Sequence, residues 1–162
     1  LARNGLLTVA GYIVFCAMNH GLAIHQLEVV ARRNQIQYRS MAAIPQPLLP
    51  VRWSGILDTG TNYYQVPLLS FTQPEAPFQI FTKTTGSYFE HKARETEMGV
   101  LYNWFARYPV VTETSDRKYH VVEFTDLRFY IKLYTFMVRK PFVLRIKMDN
   151  EGNVLESRFT RM

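Results

Sequence analysis

The sequence holds one cysteine, Cys16, among 162 residues, so no internal disulfide can form and packing alone must hold the fold. Cys16 sits in an apolar run and reads as a small buried hydrophobe. Several chemical signatures are also missing. There is no Gly-x-Ser-x-Gly elbow, no glycine-rich phosphate loop and no His-Glu-x-x-His. Their absence removes the commonest sequence cues for a serine hydrolase, a P-loop nucleotidase and a zinc protease. The four histidines, His20, His25, His91 and His120, are scattered. His20 and His25 lie about 140° apart around a helix, so they cannot share a metal as an i, i+4 pair does. No metal site, catalytic group or cofactor is expected within these residues. Neither zinc-finger spacing nor an RNA-binding aromatic signature is present, and no nucleic-acid partner is expected. No internal repeat shows itself.

What is present describes a folded chain. Hydrophobic residues make up 48% and aromatics 14%, enough to bury a core. Net charge is +6, and from Arg117 to Met162 ten Lys/Arg stand against five Asp/Glu. That bias suits an anionic partner such as lipid headgroups, or else a solvated sheet face. The first residue is Leu1 rather than Met, which reads as a piece cut from something longer.

Gly5 to Ile24 carries no Asp, Glu, Lys or Arg. Twenty helical residues span about 30 Å, the thickness of a bilayer core. Two readings stand: a membrane helix, or a long helix whose apolar side covers a sheet. Helix is expected over residues 1–38. Pro45, Pro47 and Pro50 make 39–50 an extended linker or covering segment. Residues 51–162 then form a soluble α+β domain.

Within that domain, Val51 to Asp58 and Tyr63 to Phe71 read as a hairpin around Thr59-Gly60-Thr61-Asn62. Ser87 and Glu90 have capping-box spacing, opening a helix that runs to about Tyr108, with Phe89, Ala93, Leu101, Trp104 and Phe105 on one face. Tyr119 to Tyr134 is the organising strand. From Asp126 it alternates strictly, with Leu127, Phe129, Ile131 and Leu133 opposite Asp126, Arg128, Tyr130 and Lys132, after a bulge or bend near Glu123 to Asp126. Arg139-Lys140-Pro141 interrupts, and a last hairpin turns at Asp149 to Gly152. The fold class is α+β: a long helix and a second helix packed on a curved, mainly antiparallel sheet of about five to six strands.

One candidate site follows from the polar row. Asp126, Arg128, Tyr130 and Lys132, with Arg52 or Asp58 as cross-strand partners, form either a groove for an anionic or carbohydrate-like group or a salt-bridged sheet surface. Trp53, Tyr63 and Tyr64 line such a groove or belong to the core.

Three pieces together carry a resemblance: Pro50-Val-Arg-Trp53 before the Tyr63-Tyr64 hairpin, Trp104-Phe105-Ala106-Arg107-Tyr108-Pro109, and Asp126-Leu127-Arg128-Phe129. Over about Leu6 to Met162 the chain resembles the C-terminal region of the bacterial inner-membrane proteins known as predicted membrane-bound metal-dependent hydrolases, the YdjM-like family. The resemblance implies that Gly5 to Ile24 is all or part of the last membrane helix. It implies a divalent metal in the parent protein, bound upstream of this sequence, so no ligand is carried onto a residue here. It implies an accessory domain facing the membrane surface or the rest of the parent protein, in the cytoplasm by the positive charge of Arg32 and Arg33. The rival reading is a ligand-binding or oligomerisation module without hydrolase activity.

Overall fold

The computed structural model describes all residues except 1, 48, 73–77, 135–136, 140–141 and 161–162, and leaves aside the side chains of residues 2, 49 and 131–139. The chain is α+β and falls into two compact units, Leu1–Ile80 and Phe81–Met162.

Unit 1 is built on α1 (Ala2–Arg33), an unbroken helix of 32 residues that closes with Arg32 and Arg33 in its last turn, where cations oppose the negative end of the helix dipole. Strands β1 (Ser40–Gln46), β2 (Leu49–Asp58) and β3 (Asn62–Leu69) follow, and β4 (Gln79–Thr82) completes the sheet order β1-β2-β3-β4. The proline-rich stretch expected as an extended linker or covering segment contains a paired strand, with Ser40 opposite Asp58 and Pro45 opposite Trp53. Proline is tolerated there because β1 is an edge strand. The turn between β2 and β3 takes Gly60 at φ 99°, and the Asp58 carboxylate accepts the Gly60 amide at 2.7 Å.

The helix is two different surfaces in series. From Asn19 onward it enters the core: Ala23, Leu27, Val30 and Ala31 pack with Ala43, Trp53, Leu57, Val66 and Leu68. Gly55 makes that approach possible, since a Cβ there would stand 2.7 Å from Leu27 Cδ1. Before Asn19 the helix is apolar and bare. Leu6, Leu7, Val9, Tyr12, Ile13, Val14, Phe15 and Met18 are all exposed. At 100° per residue those positions point in every direction, so this half of the helix has no single apolar stripe. By length and composition α1 can cross a membrane.

Unit 2 carries α2 (Tyr88–Glu95), α3 (Glu97–Phe105), β5 (Pro109–Asp116), β6 (Tyr119–Asp126), a 3-10 turn (Leu127–Phe129), β7 (Ile131–Tyr134), β8 (Met137–Arg139), β9 (Val143–Met148) and β10 (Val154–Thr160). Its main sheet has the order β10-β9-β6-β5, and β7 pairs only with β8 among the described strands. The strands thus divide between two four-stranded antiparallel sheets and a small ribbon, where one sheet was expected. Ala93 and Tyr102 from the helices pack on Val111, Val122, Phe124, Leu144, Ile146 and Met148. The last hairpin turns as expected, with Gly152 at φ 88° and its amide on the Asp149 carbonyl.

Two expectations for this unit are corrected. The helix expected from Ser87 to Tyr108 breaks at Thr96, which ends α2 and caps α3: its hydroxyl donates to Ala93 O at 2.7 Å and accepts Gly99 N at 3.0 Å. The organising strand stops at Asp126. Its carboxylate accepts the Arg128 amide, an Asx-type bond that folds 127–129 into a 3-10 turn and ends the ladder. The expected break at Arg139-Lys140-Pro141 lies in part outside the described residues.

Candidate functional site

The nine residues singled out from the sequence are split between the units. Arg52, Trp53, Asp58, Tyr63 and Tyr64 belong to unit 1; Asp126, Arg128, Tyr130 and Lys132 belong to unit 2. In unit 1, Arg52 and Asp58 share a face of β2 but stand six residues, about 20 Å, apart. Their opposite numbers are Leu69 for Arg52 and Tyr63 or Ser40 for Asp58, not Asp126, Arg128, Tyr130 or Lys132. Trp53 points to the other face and is buried in the core, with its ring 5.3 Å from that of His20. Its Nε1 is buried and has no hydrogen-bond partner. Tyr63 is buried as well, and Tyr64 packs on Phe78 with ring centroids 5.3 Å apart. These aromatics are core.

In unit 2, Asp126 and Arg128 do meet, but in a turn rather than along a strand face. The Asp126 side chain is 2% exposed. It accepts the amides of Arg107 at 2.9 Å and Arg128 at 3.0 Å, and Arg128 Nε at 2.8 Å. Arg128 Nη2 lies 2.7 Å from the same carboxylate and donates to the Phe105 carbonyl at 2.8 Å. The guanidinium sits 5.0 Å from the Phe105 ring centre and 5.1 Å from that of Phe129. A carboxylate so fully engaged has no lone pair left for a ligand; it ties the end of α3 to the end of β6. Burial, reinforced by the Asp126 charge, pushes the neighbouring Tyr102 hydroxyl up from its ordinary value. Tyr130 is buried with its ring 5.1 Å from Phe81, and burial raises its hydroxyl too. The side chain of Lys132 lies outside the described residues.

The basic outer face is also compensated. On the face of the main sheet away from α2 and α3, Arg145 pairs with Glu123 at 3.7 Å, Arg158 with Glu156 at 3.1 Å, and Lys147 caps the Tyr119 ring at 3.7 Å. This is a cross-linked sheet surface.

A second buried carboxylate was placed in the sequence only as a helix cap. Ser87 does accept the Glu90 amide at 3.0 Å. The Glu90 side chain, however, gathers the preceding loop: Thr84 Oγ1 at 2.7 Å, Thr85 N at 2.6 Å, Thr85 Oγ1 at 2.9 Å and Gly86 N at 3.1 Å, with Arg94 Nε at 2.8 Å on the other oxygen. Burial alone pushes this carboxyl up; the hydrogen bonds from Thr84, Arg94 and Thr85 outweigh it and hold the group at about 2. Ser87 Oγ also donates to Glu113, whose other oxygen lies 3.5 Å from His120 Nδ1. Serine, glutamate and histidine are neighbours here in the wrong order for nucleophilic catalysis, because the carboxylate stands where the base is needed. Among the described residues, no three His, Cys, Asp or Glu side chains gather to hold a metal ion.

What the sequence reading missed is a surface. Leu101, Trp104 and Phe105 were expected on the packed side of one continuous helix. The break at Thr96 re-aims α3, so that Gly99 and Tyr102 face the sheet while Val100, Leu101, Trp104 and Phe105 face outward. Trp104 is 83% exposed. No family model, curated protein or solved structure matches the chain.

Proposed function

We propose that this chain is the water-facing accessory part of a membrane-bound, metal-dependent hydrolase of the bacterial inner membrane, joined to the bilayer through the first half of α1. The observation that carries the membrane part is the two-part surface of α1: apolar and exposed all round before Asn19, core-forming after it. About sixteen exposed residues cover roughly 24 Å of the ~30 Å hydrocarbon layer. Exposing so much apolar side-chain surface to water is unfavourable by about 25 cal/mol per Å², and lipid or neighbouring membrane helices remove that cost. The positive charge of Arg32 and Arg33 after the apolar turns supports a cytoplasmic position for the residues that follow.

The hydrolase part rests on the sequence resemblance. In it the divalent metal and the reacting groups belong to the parent protein outside these 162 residues, and this part positions substrate or controls access. The buried, fully bonded state of Asp126 and Glu90 fits a supporting role, since neither carboxylate is free to act on a substrate.

Two measurements test the two parts separately. Expressed in bacteria, the chain should pellet with inner-membrane vesicles and resist alkaline carbonate; release into the supernatant refutes the anchor. The complete gene product should hydrolyse a phosphoester or ester panel only with a divalent metal, and these 162 residues alone should not. Chelator-sensitive hydrolysis by these residues alone refutes the accessory role.

A further inference from the structure

We infer that the outward face of α3 is a second membrane contact, seated in the headgroup layer of an anionic bilayer with Trp104 as its anchor. The inference rests on the reading of α1 as a membrane segment. Val100, Leu101, Trp104 and Phe105 are exposed together, and at helical spacing they cover an arc of about 140°. An apolar face of that width, ending in tryptophan, is what an interfacial helix presents. Phe105 continues into a ring cluster, stacked on Phe129 at 5.9 Å, with Phe129 edge-on to the half-exposed Phe142 at 5.3 Å.

Charge selects the occupant. At the tryptophan end Arg107 stands exposed just past the helix, and it carries the net charge there, because Arg128, held against the Phe105 and Phe129 rings, is already paired with Asp126. Glu97 opens the same helix about two turns away, at the end opposite Trp104. The face is therefore apolar and cationic at one end, which matches the aromatic belt and anionic headgroups of an interface. A stable dimer needs roughly 20–30 residues a side, and the α3 face offers far fewer. The bilayer needs no such area, because the chain is already attached to it through α1 and a weak contact then acts at high effective concentration.

The test uses the full chain in liposomes carrying nitroxide lipids, shallow or deep, with or without anionic lipid. The chain has two tryptophans, and Trp53 is buried, so wild type minus W104F isolates the Trp104 signal without disturbing the core. Trp104 should be quenched, more by the shallow nitroxide, and more with anionic lipid. R107Q should lower the docked-to-undocked ratio about five-fold in anionic vesicles. In parallel, bimane on the lone Cys16 reports whether α1 lies in hydrocarbon. Trp104 unquenched with Cys16 quenched overturns the α3 contact and leaves the anchor intact; if its emission is also blue-shifted, a second copy or another protein covers the face instead. Both unquenched overturns the anchor and the contact together.

Discussion

Glu90 and Thr85 are joined twice, the carboxylate taking the Thr85 amide at 2.6 Å and its hydroxyl at 2.9 Å. Through this pair one buried side chain, 1% exposed, sets the conformation of the loop that enters α2. Glu90→Gln keeps the volume but loses the charge opposite Arg94 and the strong acceptors for Thr84 to Gly86. It should cost about 2–3 kcal/mol in urea unfolding. A cost under about 0.5 kcal/mol refutes the clamp.

The same group sets a pH dependence. Its folded carboxyl is held at about 2, below the ordinary 4.5, so the unfolded chain binds the proton more readily. The stability it contributes is full above about pH 5 and is lost as pH falls toward 2. Wild type should therefore lose stability on acidification more steeply than Glu90→Gln. Parallel slopes over that window are the contrary result.

Arg128 neutralises Asp126 and reaches the Phe105 carbonyl with a second nitrogen. Arg128→Ala leaves a buried carboxylate without its cation and should cost about 3 kcal/mol. Arg128→Lys should recover less than half of that, because a single ammonium cannot serve both acceptors. Full rescue by lysine would show that charge alone matters there.

Gly99 and Gly86 separate two reasons for glycine. A Cβ on Gly99 would lie 2.1 Å from the Ala93 carbonyl oxygen, whereas Gly86 has φ 66° and open space around it. Gly99→Ala should open the α2–α3 junction and cost more than about 2 kcal/mol, as overpacking against backbone does. Gly86→Ala should cost about 1 kcal/mol, the left-handed penalty alone. Equal costs, read by thermal unfolding, would contradict this assignment.

On α1, Ile13 and Leu27 should respond in opposite assays. Ile13→Lys should lower membrane retention by about 3 kcal/mol of insertion energy and leave the stability of unit 1 unchanged. Leu27→Ala should destabilise unit 1 by about 3 kcal/mol and leave retention intact. Carbonate extraction and urea unfolding read the two; a shared response would mean that α1 is one functional surface.

Local signals in the sequence carried much of this structure. Ser87 three residues before Glu90, Gly60 in its turn and Gly152 in the last hairpin all act where short-range chemistry places them. The alternation from Asp126 to Leu133 misled because period two describes where side chains point if the ladder continues. It is blind to a carboxylate that bonds the amide two residues on. Thr96 misled for a related reason: a threonine inside a helical pattern reads as filler until its hydroxyl is seen capping Gly99. Spacing also did not show that Arg52 and Asp58 lie in a different sheet from Asp126, or that Arg128 lies in a turn. Sheet membership depends on pairing across long stretches of chain, which spacing alone does not encode.

The helix that begins among exposed leucines ends as a wall of the first sheet, with no break between Ala2 and Arg33. A rod of that kind, about 48 Å long, has no joint at which a rotation can be absorbed. Any roll or tilt imposed on its bare turns is delivered as torque to Leu27, which the missing side chain of Gly55 lets rest against β2. With those turns in a bilayer, as proposed above, its thickness would become a mechanical input to the first sheet.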